Sequence, residues 1–386
     1  MVITNGFTYI AFLMCLAGCL LLLEKYSKWR IFNVVPALVF IYILNMAFCT
    51  MGLFNSEACS KAYSVLKNNL LYAMIFVMLL RCDFRKLAKL GGRMVAIFLA
   101  CSFTLFIGFV VGYPIFKSFL GVDVWGAVAA LYASWVGGSA NMAAMQAALP
   151  VDAGAYSCAL ALDTVCYSVW IALLLLMVRY SSKWDNATKA DTSKLQAVAD
   201  AAAKEVEKEK KTASAADWVF LIGISQMIGG ALQNGFASIG LEMFDKGTIT
   251  TVFVTILGLV CALTPLGKLP AVEKLSTVYL YAVVSLLAST ASVVDLLTAP
   301  MWIVYGLFIL VIHVVLMFVF SKIFHWDLCM VSTASLANIG GSASAPIVAS
   351  AYNPSYAGIG VLMGVLGAAV GNFFGIGIGQ ILKMMS

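Results

Sequence analysis

Apolar positions run through this chain in long blocks, not in strict alternation and not in narrow stripes. Windows near 7–23, 33–52, 62–80, 91–116, 122–149 and 153–179 are almost free of charge. After a polar interval a second series follows near 217–236, 247–263, 274–292, 298–320, 327–351 and 355–383. About 20 apolar residues coil into a helix as long as a bilayer's hydrocarbon core is thick, whereas a membrane β-barrel shows alternating segments of about ten. The pattern therefore predicts an all-α polytopic membrane protein built from two series of six segments.

The interval between the series, Ser181 to Ala216, turns to Lys, Glu, Asp, Ala and Thr, and includes Lys204-Glu205-Val206-Glu207-Lys208-Glu209-Lys210-Lys211. It reads as a mostly solvated helical linker joining residues 1–180 to residues 217–386. The halves share more than a segment count. The fifth segment of each carries the same tetrapeptide, Gly137-Gly138-Ser139-Ala140 and Gly340-Gly341-Ser342-Ala343. Each is followed by a small-residue stretch, a loop with proline (Pro150, Pro354), and a last segment with a polar residue in its middle, which marks an internal duplication.

Charge decides how the repeats are oriented. If every segment crossed the membrane, starting outside, Lys and Arg would divide 9 inside to 15 outside. If the fifth segment of each half dips in and returns at its Gly-Gly break, the division becomes 19 inside to 5 outside. The excess of Lys and Arg on the cytoplasmic side of membrane proteins selects the second arrangement. Each half then has five crossings plus one broken or re-entrant segment, and because five is odd the repeats are inverted, with the linker in the cytoplasm. Inverted repeats with broken helices at matched positions are the build of many secondary transporters.

Composition narrows the classes further. Hydrophobic residues make up 62% of the chain and charged residues 11%, which excludes a soluble enzyme. The net charge of +6 reports orientation, because no basic surface with interleaved aromatics points to nucleic acid. No HExxH, GxSxG or Walker A sequence occurs, and Gly375-Ile-Gly-Ile-Gly379 lies inside an apolar span, so an enzyme is not expected. Cysteines such as Cys101, Cys158 and Cys166 lie in apolar runs without a CxxC pair and read as small buried hydrophobes. Leu16-Ala17-Gly18-Cys19 resembles a lipoprotein cleavage box, but the apolar run continues past it, which favours a first transmembrane helix. Trp125, Trp170, Trp218, Trp302 and Trp326 read as interfacial anchors.

The candidate chemistry lies in the breaks and in the sixth segment. Glycine pairs destabilise an intramembrane helix by about 1 kcal/mol per Gly relative to Ala and free backbone groups to bind ligands. Gly137, Gly138, Ser139 and Asn141, with Asn338, Gly340, Gly341, Ser342 and Ser344, are the expected substrate-binding residues, suited to a small polar or anionic solute. Close helix packing by small residues is the competing reading, and Asn338 could instead cap the second half-helix. Asp163 is an acid well inside a span, costly unless protonated or paired with a cation. With Thr164 and Ser168 it offers hard oxygen ligands for Na⁺ or a proton site, and a purely structural hydrogen-bonding role is the alternative. Asn372, the polar residue of the corresponding helix in the second half, which has no acid, is expected to join them in ion coupling. Asp295 reads as interfacial, and His313 as a satisfied buried histidine in preference to a proton relay.

Trp135-Val136-Gly137-Gly138-Ser139-Ala140-Asn141 together with Ala337-Asn338-Ile339-Gly340-Gly341-Ser342-Ala343-Ser344 resembles the paired signature of the YjcL-like family, domain of unknown function 819, over essentially the whole chain. Asp83-Phe84-Arg85-Lys86-Leu87 and Gly91-Gly92-Arg93 are also similar to the sodium/glutamate symporters, and more distantly to cation/proton antiporters and bile-acid sodium symporters. That resemblance implies a scaffold domain and a mobile core domain. Glutamate symporters carry a longer glycine run with histidine where this chain has GGSAN and GGSAS, so a glutamate substrate does not carry over.

The expectation is a multi-pass protein of the cytoplasmic (inner) membrane. It would be a homodimer, without a cofactor beyond Na⁺ or H⁺, that couples import of an amino acid, organic acid or short peptide to an ion gradient. A monovalent cation/proton antiporter is the alternative.

Overall fold

In a computed structural model, residues 2–27, 29–33, 35–83, 85, 90–192, 195–207, 212–235, 246–294 and 299–386 are described, and among them every regular element is helical. The first series gives α1 (Gly6–Tyr26), α2 (Ala37–Thr50), α3 (Glu57–Leu79), α4 (Gly91–Leu120), a broken pair α5 (Trp125–Gly137) and α6 (Ser139–Ala148), and α7 (Ala153–Met177). Linker helices α8 (Ser181–Thr188) and α9 (Leu195–Glu207) follow. The second series repeats the order with α10 (Ala215–Gly235), α11 (Lys246–Ala262), α12 (Val272–Ala288), α13 (Ala299–Phe324), a broken pair α14 (Leu328–Ile339) and α15 (Gly341–Tyr352), and α16 (Ala357–Met384). Among the described residues, seven helices are long and apolar enough to cross a membrane. The protein is thus a multi-pass membrane protein. Helix α1 runs unbroken through Cys19, as an anchor segment would.

The breaks fall where the glycine pairs are. Gly138 ends α5 at φ +92° and Gly341 opens α15 at φ +69°, angles that L side chains rarely adopt. At 1.5 Å per residue, α5 extends about 20 Å and α6 about 15 Å, so neither alone spans a core of about 30 Å. The two arms of each pair pack against each other instead. Asp152 caps α7 and Asp327 caps α14 through their first-turn amides.

Packing sorts the helices into two groups. Helix α3 lies against α10, α11 and α12, with α1 and α2 beside them; α4 lies against α13, and α16 lies against both α5 and α15. The closest crossing is that of α5 and α16. A β-carbon on Gly137 would lie 2.6 Å from the carbonyl oxygen of Gly367, so only glycine permits it.

The packing adds detail to one sequence expectation and corrects another. Most described linker residues are exposed or half-buried, but α9 buries Leu195, Ala199 and Ala202, one stripe at helical spacing, against the start of α16. There a β-carbon on Gly358 would meet the backbone of Ala203 at 2.8 Å. Trp170 is not an interfacial anchor, because its indole is buried and donates to Ser335 Oγ at 2.9 Å in the interior. Asp295 lies outside the described residues.

Candidate functional site: a cavity between two helix breaks and a buried carboxylate

Residues from both broken pairs and from α7 surround a cavity of about 170 Å³. The first break supplies Ser134, Gly138 and Ser139, the second Ile339, Gly340 and Ser344, and α7 supplies Leu160, Asp163, Thr164 and Tyr167. The remaining wall is Pro36, Leu38 and Val39, at the start of α2. The two breaks touch: a β-carbon built on Gly341 would lie 3.6 Å from Cα of Gly138. Their proximity brings the C-terminal ends of α5 and α14 and the N-terminal ends of α6 and α15 into one region. Partial negative and partial positive helix ends therefore face the same space.

Asp163 is the only charged residue among the described residues that line the cavity. It is buried, and its carboxylate is held from α5: Trp135 Nε1 donates to Oδ1 at 2.8 Å and Ser134 Oγ donates to Oδ2 at 3.1 Å. Among the described residues no Lys, Arg or His lies within ion-pair distance of it. An ionised carboxylate accepts about four hydrogen bonds, so two donors leave capacity on both oxygens for a cation or a proton. Thr164 and Ser168 each donate a hydroxyl proton one turn back along α7, to Leu160 and Thr164 carbonyls, which leaves the hydroxyl oxygens as acceptors. Ser344 Oγ does the same to the Gly340 carbonyl, at 2.6 Å.

The other residues singled out in the sequence lie elsewhere. Asn141 sits behind the first break, donating to Asn372 Oδ1 at 3.0 Å and to the Ala368 carbonyl at 3.2 Å. Asn372 in turn donates to Thr255 of α11 at 3.0 Å. This chain ties α6 to α16 and α11, away from Asp163, so Asn372 does not join the acid in one ligand set. Asn338 does not cap α15. Its amide donates to the Ala334 and Phe98 carbonyls, and its Oδ1 accepts from Ser102 at 2.6 Å. Gly137 faces α16, Ser168 is not among the lining residues, and the side chain of Ser342 lies outside the described residues. Among the described residues, no group of three His, Cys, Asp or Glu side chains is arranged to hold a metal ion.

Sequence reasoning missed Ser134, Trp135, Tyr167 and the α2 wall. The first two lie three and two residues before Gly137, and Tyr167 lies one helical turn beyond Asp163, so their spacing was available as a signal. Nothing in the sequence brings Pro36, Leu38 and Val39 to the same place.

No curated protein matches the chain. A sequence profile described as "Protein of unknown function (DUF819)" matches residues 11–385, nearly the whole length. The doubled GGSA break and the helix order that surrounds it are thus features of a member of that family, and the chain belongs to DUF819.

Proposed function

We propose that this protein is a secondary active transporter, and not an enzyme. Asp163 and the oxygens around it would take the coupling cation, Na⁺ in the leading reading, and the paired breaks would take a small polar or anionic organic solute. One observation carries this reading: a buried carboxylate with no basic partner among the described residues and two helix breaks from separate halves of the chain converge on one cavity. A packing motif has no need of a cavity, and an acid without a basic partner inside a membrane protein is a functional marker. The two halves would be inverted repeats, with the linker cytoplasmic and the protein in the inner membrane as a homodimer. In an elevator-like cycle, α4–α7 and α13–α16 would form the moving core and α1–α3 and α10–α12 the scaffold. The position of the cavity supports that division, because core helices form most of its wall and α2 the rest. Pro36, Leu38 and Val39 present no hydrogen-bonding side chain that sliding would break.

A monovalent cation/proton antiporter is favoured by a different observation. The cavity is small, about 170 Å³, and the one charge among its described lining residues is negative. Purified protein in liposomes with imposed Na⁺ or proton gradients, assayed against labelled amino acids and organic acids, separates the two readings. Solute accumulation that collapses with the Na⁺ gradient supports symport. Cation-for-proton exchange with no solute uptake supports the antiporter, and no flux of any kind overturns both.

A further inference from the structure

We infer that His313 is a positioning residue for the Asp163 site, working as an uncharged imidazole in its Nδ1–H form; this rests on the reading of Asp163 as the ion-coupling acid. His313 lies inside α13, is buried, and uses both ring nitrogens. Its Nδ1 is 2.7 Å from Thr104 Oγ1 on α4, and its Nε2 is 2.7 Å from Ser335 Oγ on α14.

The surrounding bonds fix which nitrogen holds the proton. Thr104 Oγ1 is placed to give its hydroxyl proton to the Cys101 carbonyl at 2.8 Å, and in that arrangement it accepts from His313. Nδ1 therefore carries the hydrogen. Ser335 Oγ already accepts from Trp170 Nε1 at 2.9 Å and retains its own proton, which it gives to Nε2. The resulting chain runs Trp170, Ser335, His313, Thr104, Cys101, with every donor and acceptor used once. A second proton on the ring would occupy the Nε2 lone pair, reverse the bond to Ser335 and put a charge in a buried site with no described acid against it, so this arrangement fits a fixed tie and not a relay.

The tie matters because of what it joins. Trp170 lies seven residues, two turns, beyond Asp163 on the same face of α7, and Ser335 lies on the half-helix that ends at the second break. Trp135 joins Asp163 to the first broken pair, and Trp170 joins the same helix to the second. Farther along the chain a second bond reaches α14, since Asp185 of α8 accepts from the Leu328 amide at 2.9 Å. Helix α7, and α8 that continues from it, are thereby each tied to α14, which helps to set the distance from Asp163 and Tyr167 to Gly340. The fit is close: a β-carbon on Gly340 would sit 2.7 Å from the Tyr167 ring.

Two measurements test this. The chain has two histidines, so ¹⁵N-histidine NMR of the His325→Asn protein reads His313 alone. A protonated Nδ1 and bare Nε2 at pH 7 are expected; a proton on Nε2, or an imidazolium, overturns the assignment. The second measurement is the Na⁺ concentration that half-maximally protects purified protein against heat, alongside the maximal protection. His313→Phe fills the space without either hydrogen bond and is expected to raise the half-maximal concentration about tenfold, the equivalent of about 1.4 kcal/mol. His313→Gln, with one donor and one acceptor at similar reach, is expected to return it to within about threefold. Unchanged Na⁺ affinity in His313→Phe, or no rescue by Gln, overturns the positioning role. Should His313→Phe not fold, the NMR and the Gln variant still decide. Wild-type protein that no Na⁺ or proton concentration protects sinks the proposed function itself, an outcome separate from a wrong tautomer.

Discussion

At Gly138 the backbone turns at φ +92°, yet an added β-carbon would meet nothing within 4 Å. Any penalty for a side chain there is conformational, about 1–3 kcal/mol for a region that glycine almost alone occupies. At Gly137 the reverse holds: the backbone is ordinary helix, but a β-carbon would be 2.6 Å from Asn141 Oδ1 and from the Gly367 carbonyl. Gly138→Ala is therefore expected to fold with its melting temperature lowered by a few degrees. Gly137→Ala is expected to yield little folded protein, because α5 and α16 can no longer close. Thermal melts of both in detergent check this, and equal behaviour would show that the two glycines are not kept for different reasons. Gly138→Val adds branches toward the cavity and is expected to block transport. Asp163→Asn keeps volume and removes charge, and is expected to abolish protection by Na⁺ while leaving the fold; retained protection would reduce Asp163 to a structural acid.

Among the elements, the half-helix α14 depends most visibly on its ends. Asp327 caps it by accepting from the Met330 amide at 2.9 Å, is buried, and has no described partner for Oδ2. Burial, opposed by the Met330 bond and reinforced by Asp185, pushes its carboxyl up to about 6, with Arg93 pulling weakly the other way. Between about pH 4 and pH 6 the native state then holds a proton that the unfolded chain has released, so stability falls as pH rises through that window. Asp327→Asn is expected to flatten this slope, whereas Asp327→Ala flattens it and also loses the cap, about 1 kcal/mol. Melting curves from pH 4 to pH 7 distinguish the two; an unaltered slope in both variants would place the titration elsewhere. For the linker, the buried stripe of α9 dictates where accessibility is probed. A cysteine at Ala202 would be shielded whichever side the linker is on, so exposed Lys204 is the informative site. Lys204→Cys is expected to resist impermeant thiol reagents added outside intact cells and to react in inverted vesicles. Efficient external labelling would overturn the inverted arrangement.

Across the whole molecule, the two packing groups meet at the cavity, and an elevator-like cycle requires them to slide there. Leu38 of α2 and Leu160 of α7 both line it. Cysteines at these two positions, in a background without the ten native cysteines, are expected to be joined by a short bifunctional reagent, with transport lost on cross-linking and restored on cleavage. Full transport by the cross-linked protein would show that α2 and α7 do not move apart. How much of this architecture could be read beforehand follows from what each feature depends on. Apolar runs marked where the helices lie, although among the described residues only seven of these are long enough to cross a bilayer, and glycine's unique backbone freedom made both breaks legible as a repeated GGSA. Asp163 was legible because a charge among apolar neighbours is conspicuous. Its companions were not, since hydrophobic runs carry no record of which helix faces which. Only tertiary packing set Asn372 beside Asn141 and not beside Asp163, turned Trp170 inward to Ser335, laid α9 on α16, and closed the cavity with Pro36, Leu38 and Val39. Those placements come from contacts between residues more than a hundred positions apart, where close approach at a few glycines selects one arrangement among many that the same apolar surfaces would allow.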